Sequence, residues 1–148
     1  SGVSGPSFAM PVPVMPAFSG GTAVPGATVK MKSFMLVGKR DAPLKDVIPQ
    51  MISISSHLDT VTSAKLPEGK ALQKLPDGSI ACPFDDVAQV MEALGEAAEA
   101  AGVTMGDDVT VSMCLGASAF FSSNTGEVGS YAYAPEGDTA VEADNWPD

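Results

Sequence analysis

The apolar residues of this chain change their spacing twice: alternation that ends in an apolar run at about residue 37 gives way to two helical stretches between 41 and 101, separated by a loop, and alternation returns from 109 to 115. Nothing else in the sequence restricts the fold as strongly. Met10-Pro11-Val12-Pro13-Val14-Met15-Pro16 reads as a strand whose alternate prolines remove the amides along one side and impair that edge. Ser19-Gly20-Gly21-Thr22 and Pro25-Gly26 mark a turn, and Val29 to Val37 reads as a second strand. From Asp41, available as N-cap, Leu44, Ile48, Met51, Ile52, Ser55 and Leu58 fall at helical spacing, with Pro49 as the discordant residue. Residues 65–82 form a long loop with two proline-containing turns. A second helix runs from Asp85 to Ala101 on the stripe Val87, Val90, Met91, Leu94, Ala98 and Ala101, and Gly102 stops it.

Val109 to Leu115 alternates, which turns Val109, Val111, Met113 and Leu115 toward the helices. Phe120-Phe121, Asn124-Thr125-Gly126 and Tyr131-Ala132-Tyr133 predict a small hairpin. The expected architecture is therefore α/β, in the order β-β-α-α-β followed by a hairpin. A Gly/Ser-rich lead-in (1–9) precedes the folded unit (10–134), and an acidic tail (135–148) follows it. Such a set of strands, with both helices on one side, does not close a barrel.

Composition narrows the chemistry. The length, 148 residues, is that of one domain, and a hydrophobic fraction of 45% is that of a globular chain. No apolar run is long enough for a bilayer span, and the basic segment of a signal peptide is missing, so a soluble intracellular protein is expected. Cys82 and Cys114 form no C-x-x-C pair, which removes a zinc ribbon and suits a reducing compartment. His57 is the single histidine, so every triad or zinc site with a His ligand would have to use it. The net charge of −10 is polarised: all eight bases precede position 75 and face four acids there, while residues 75–148 hold fourteen acids and no base. An electrostatic footprint for nucleic acid or anionic membrane is therefore absent from the second half, which suits a basic protein partner or a solvated acidic face, the second being the more frequent explanation.

Several motifs, taken in order, resemble enolase. Phe8-Ala9-Met10-Pro11-Val12-Pro13 with Gly20-Gly21 is similar to that family's barrel opening, and Phe34-Met35-Leu36 to the end of its second strand. Ala81-Cys82-Pro83, Ala100-Ala101-Gly102 and the run from Val111 to Phe121 are similar to its A-P-N, K-A-G and I-G-L-D-x-A-x-S-E-F-F segments. The resemblance spans residues 8–134 and covers only the first part of an enolase-type (β/α) barrel. It implies magnesium held by carboxylates at the strand ends, a lysine that removes a proton and a glutamate that assists the leaving hydroxyl.

Position by position, this chain departs from that set. Thr22-Ala23-Val24-Pro25-Gly26 stands where the family has Ser-His-Ala-Gly, and Lys32-Ser33 where it has Gln-Glu. Pro76-Asp77-Gly78-Ser79-Ile80 stands for Gly-Asp-Glu-Gly-Gly, so Gly78 replaces the glutamate, and Cys114 replaces the first metal-ligating aspartate. Sliding the loop to Pro67-Glu68-Gly69 restores a carboxylate only with roughly ten inserted residues in a loop already long. Asp107 and Asp108 lie at the wrong end of their strand. The family's remaining ligands and its lysine fall beyond Asp148.

The expectation is thus an enolase-like chain without catalytic, cofactor or metal residues, a structural or interaction module whose partners are other proteins or the rest of its own polypeptide. Degenerate enolase-like chains of cilia and sperm flagella suggest an axonemal setting by analogy. The alternative is a fragment of a magnesium-dependent lyase that dehydrates 2-phosphoglycerate to phosphoenolpyruvate. Of the residues with sharper readings, Cys114 is expected to be a small buried side chain, His57 a solvent-facing helix residue and the methionines core filling. Glu92, Glu96 and Glu99 are expected on the outer face of the second helix.

Overall fold

The computed structural model describes residues 10–119 together with 121–122, 130–131 and 141–142. The predicted lead-in, residues 1–9, and the hairpin turn at 124–126 lie outside the described residues. Strands β1 (Val14–Ser19) and β2 (Ser33–Gly38) are followed by helix α1 (Leu44–Lys65), a two-residue strand β3 (Ile80–Ala81), helix α2 (Val87–Ala100) and strand β4 (Val109–Cys114). The order across the sheet is β3-β1-β2-β4. β2 runs antiparallel to both β1 and β4, so those two point the same way, and β3 pairs parallel with the end of β1. A separate small sheet joins β5 (Phe121–Ser122), β6 (Ser130–Tyr131) and β7 (Val141–Glu142).

The element order was legible, and its details need correction. β1 begins four residues later than Met10 because Pro11 and Pro13 cannot donate to a ladder; Pro13 still accepts from the Gly38 N–H at 3.0 Å. The remaining proline, Pro16, sits where the register slips between Pro16 and Phe18, which leaves Ala17 as the extra residue of a bulge. β2 likewise starts at Ser33 rather than Val29, since Val29 closes the preceding loop by accepting from the Gly21 N–H. The long loop contains β3, and the presumed acidic tail contributes β7. Both are two-residue pairings, too short to leave a period in the sequence.

Both helices are present but rotated relative to their predicted stripes. α1 buries Val47, Met51, Ile54, Leu58 and Thr62, whereas Ile48 and Ile52 are 40% and 55% exposed. Its N-cap is Pro43, not Asp41, and the Pro43 carbonyl accepts from the N–H groups of Asp46 and Val47. Pro49 is accommodated within the helix although it offers no N–H to the preceding turn, a cost of about 3 kcal/mol that packing must offset. α2 buries Val90, Ala93, Leu94, Ala97 and Ala98 and turns Met91 outward. Small residues are chosen there because α2 packs along α1, and alanines let two helix backbones approach. Its N-terminus is fixed by Asp86, whose Oδ1 accepts the Gln89 N–H at 2.8 Å while Gln89 Oε1 accepts the Asp85 N–H. Gly102 ends it at φ +68°, with the Val103 N–H reaching back to the Ala98 carbonyl.

Phe34, Leu36 and Gly38 turn to the helix side of the sheet, and the first two join Phe18, Val47, Met51, Leu58, Val90 and Leu94 in one core. Phe18 and Phe84 meet edge to face at 5.6 Å. β4 follows the predicted alternation only in part. Val109 is fully buried and Val111 packs on the core, but Met113 is 48% exposed and Leu115 lies beyond the strand. The methionines divide accordingly: Met51 is core, Met15, Met31 and Met105 flank it, and Met10, Met91 and Met113 are exposed. The opposite sheet face carries Ser33, Met35, Val37, Ser112 and Cys114, all half-buried.

Gly38 is the point of closest approach: a Cβ there would collide with Val47 Cγ1 and come within 2.9 Å of Pro13 Cγ. Gly38→Ala is expected to destabilise the protein by about 1–3 kcal/mol through overpacking. Gly95, on α2, has nothing within 4 Å of its virtual Cβ, and Gly95→Ala is expected to stabilise by about 0.5–1 kcal/mol. Urea unfolding of the two variants beside the wild type checks both signs.

Candidate functional site

Because β1 and β4 run the same way and β2 runs against them, the last residues of β1 and β4 lie beside the first residue of β2. The register places Ser19 opposite Ser33 and Ser33 opposite Cys114, a row of three across adjacent strands. The loop after β1, with Gly20 and Gly21, borders this end. A Cβ on Gly20 would lie 2.6 Å from Val29 Cγ1, and one on Gly21, at φ +52°, would lie 2.7 Å from the Lys30 carbonyl. Only glycines let that loop fold back so closely. The Lys32 N–H donates to the Cys114 carbonyl at 2.9 Å, and the Lys32 stem lies over Gly116, 3.0 Å from where a Cβ would stand.

The loop containing Gly78 reaches the same end through a hydrogen-bonded relay. The Ser79 hydroxyl donates to Asp77 Oδ1 at 2.7 Å, so the Ser19 hydroxyl, 2.9 Å away, must donate to Ser79 Oγ. The Ser79 N–H also donates to Asp77 Oδ1, at 3.0 Å. Ser19 and Ser79 are both buried, and each hydroxyl is satisfied by the other. Cys82 follows, its N–H donating to the Ser19 carbonyl at 2.8 Å. The fold therefore gathers Ser33, Gly78 and Cys114, the positions singled out in the sequence, at one end of the sheet. Sequence reasoning missed the Ser19–Ser79–Asp77 relay; its two serines are sixty residues apart and share no motif.

The two thiols differ. Cys82 is buried, and desolvation pushes its pKa up to about 11. Cys114 is half-buried on the strand row and not enclosed as expected, because β4 is an edge of its sheet and Cys114 lies on the face turned away from the helices. His57 is also half-buried instead of solvent-facing. Its ring bends back along α1 so that Nδ1 lies 2.9 Å from the Ser53 carbonyl, which fixes the proton on Nδ1. Asp107 and Asp108 stand before Val109 at the opposite end of β4 from Cys114, as expected. Among the described residues, no three His, Cys, Asp or Glu side chains converge on a common point.

On the outer face of α2, Glu92 and Glu96 meet a lysine of α1, while Glu99 is exposed. Lys65, at the end of α1, approaches Glu96 to 2.9 Å and Glu92 to 3.8 Å, and hydrogen bonding to Glu96 raises its pKa. These exposed pairs join the two helix ends more by position than by energy. No helix among the described residues is long and apolar enough to cross a membrane.

The hydrogen bonds from Ser79 hold the Asp77 carboxyl below its ordinary value of 3.8. A carboxylate favoured in the folded state contributes stability that is present above the unfolded pKa and is lost as pH falls through the lower folded value. Carboxyl-detected NMR titration should therefore give Asp77 a midpoint below 3.8, and Ser79→Ala should move it upward.

The sequence that forms these strands, paired helices and loops matches a known family. The model of the enolase C-terminal TIM barrel domain matches residues 7–145, nearly the whole chain. The match covers the strand row, the Gly78 loop and both helices, so this chain belongs to the enolase family through its C-terminal TIM barrel domain.

Proposed function

We propose that this chain is part of a non-catalytic enolase-like protein and serves as a structural and interaction module. One observation carries the reading: the strand-end row consists of Ser19, Ser33 and Cys114, two hydroxyls and a thiol. Magnesium prefers carboxylate and other hard oxygen donors in octahedral geometry, and a thiol is a soft ligand. That donor set does not fit the metal. The nearest loop carboxylate, Asp77, is held by Ser79, and Gly78 brings no acid to the site. The acidic second half favours a basic protein surface as partner, and an axonemal assembly is a setting suggested by analogy with degenerate enolase-like chains.

The family match itself favours a second reading, a portion of an active phosphopyruvate hydratase whose remaining ligands come from further residues of the same polypeptide. Steady-state assay of the full polypeptide with 2-phosphoglycerate and magnesium separates the two. Phosphoenolpyruvate formation is expected to stay at the buffer rate, and added magnesium is expected to leave the melting temperature unchanged. Turnover in the ordinary enzymatic range of about 1–10³ per second would establish the second reading instead.

A further inference from the structure

The segment between α1 and β3 is neither free nor part of the core. It leaves α1 with the Leu66 N–H bonded to the Ser63 carbonyl and turns at Gly69, φ +83°, where the Lys70 N–H donates to the Pro67 carbonyl. Its far end is paired with β3, the Gln73 carbonyl accepting from the Ala81 N–H at 2.9 Å and Lys74 bridging Ile80, and is tied to α1 where Lys74 Nζ meets Asp59 Oδ2 at 2.7 Å. Residues 67–71 between the ties are exposed, while Leu66 and Leu72 are half-buried. Beneath them lie two cavities, of about 230 and 350 Å³, with Gly26, Leu66, Lys70, Cys82 and Pro83 in both linings. One wall is the loop after β1, the other is this segment, and Cys82 forms part of the floor.

We propose that residues 66–72 are a hinged strap over the groove floored by Cys82, and that the Lys74–Asp59 ion pair is the catch that holds its far end, already paired with β3, down against α1. The catch is a weak one by construction. Only Oδ2 of Asp59 is engaged, and Oδ1 is buried without a hydrogen-bond partner among the described residues. A single-point ion pair of two partly exposed side chains contributes little and is screened by salt. The strap itself has two leucines for apolar anchorage and a glycine turn between them, the profile of a segment that opens locally without unfolding the sheet. The inference concerns the groove beneath the strap and does not depend on whether the strand row is catalytic.

Thiol labelling reads the opening directly, because a buried cysteine reacts through the open population when closing outpaces modification. In the full polypeptide, treated with N-ethylmaleimide and resolved by peptide mass spectrometry, Cys82 is expected to label slowly in the wild type. Lys74→Ala and Asp59→Asn should each accelerate Cys82 by about two- to fivefold, with Cys114 unchanged. The double variant should be no faster than either single one, and Lys74→Arg should restore the wild-type rate. Raising the salt to about 1 M should speed the wild type and not the Lys74→Ala variant. A Cys82 rate indifferent to both substitutions would overturn the catch. Equal acceleration of Cys82 and Cys114 with a lowered melting temperature would show global opening and overturn the strap.

Discussion

The contact of α1 with β2 at Gly38 is the constraint on which the rest of the structure depends. With no Cβ at that position, Val47 and Met51 settle directly on the strand, and Pro13 closes the other side. This fixes the rotation of α1, placing Val47, Met51, Ile54 and Leu58 inward and Ile48 and Ile52 outward. α2 then packs on α1 through Ala93, Ala97 and Ala98, and the two helices cover one face of the sheet. The opposite face is left with Ser33, Met35, Val37, Ser112 and Cys114.

That division of faces decides what the strand ends present. Residues 34, 36 and 38 are committed to the core, so the period of two along β2 commits Ser33 to the other face, and the register brings Cys114 beside it. The strand ends therefore present a row of small side chains, the hydroxyls of Ser19 and Ser33 and the thiol of Cys114. The Gly78 loop keeps its place at the same end by a different device, the Asp77–Ser79–Ser19 relay. Burying the Ser19 and Ser79 hydroxyls without partners would be costly, and together they satisfy each other. The relay thus accounts for the loop's position.

The electrostatics follow the same economy. Most of the bases that could offset the acidic half remain exposed, but Lys65 and Lys74 are drawn into links between separate elements: Lys65 to Glu92 and Glu96 of α2, and Lys74 to Asp59 of α1. These links are weak compared with the apolar core, and their value is in setting where chain segments rest. Glu92 and Glu96 are accordingly less available to a partner than their exposed helix face suggests.

The order of strands and helices was written in the sequence because each long element carries its own period: the alternation of Val109 to Met113, the helical spacing in 44–65 and 87–100, and the stop at Gly102 are all local properties. The strand-end positions Ser33, Gly78 and Cys114 were also legible, through motifs that keep their order along the chain. The tertiary structure alone decided which face of each helix is buried, since α1 offers two adjacent apolar stripes of similar quality and only the contact at Gly38 chooses between them. It alone decided the half-exposure of Cys114, which depends on β4 being an edge, and the pairing of Ser19 with Ser79 across sixty residues. Periodicity records what a residue needs from its immediate turn or strand; burial and long-range hydrogen bonds depend on neighbours that the chain supplies only after it has folded.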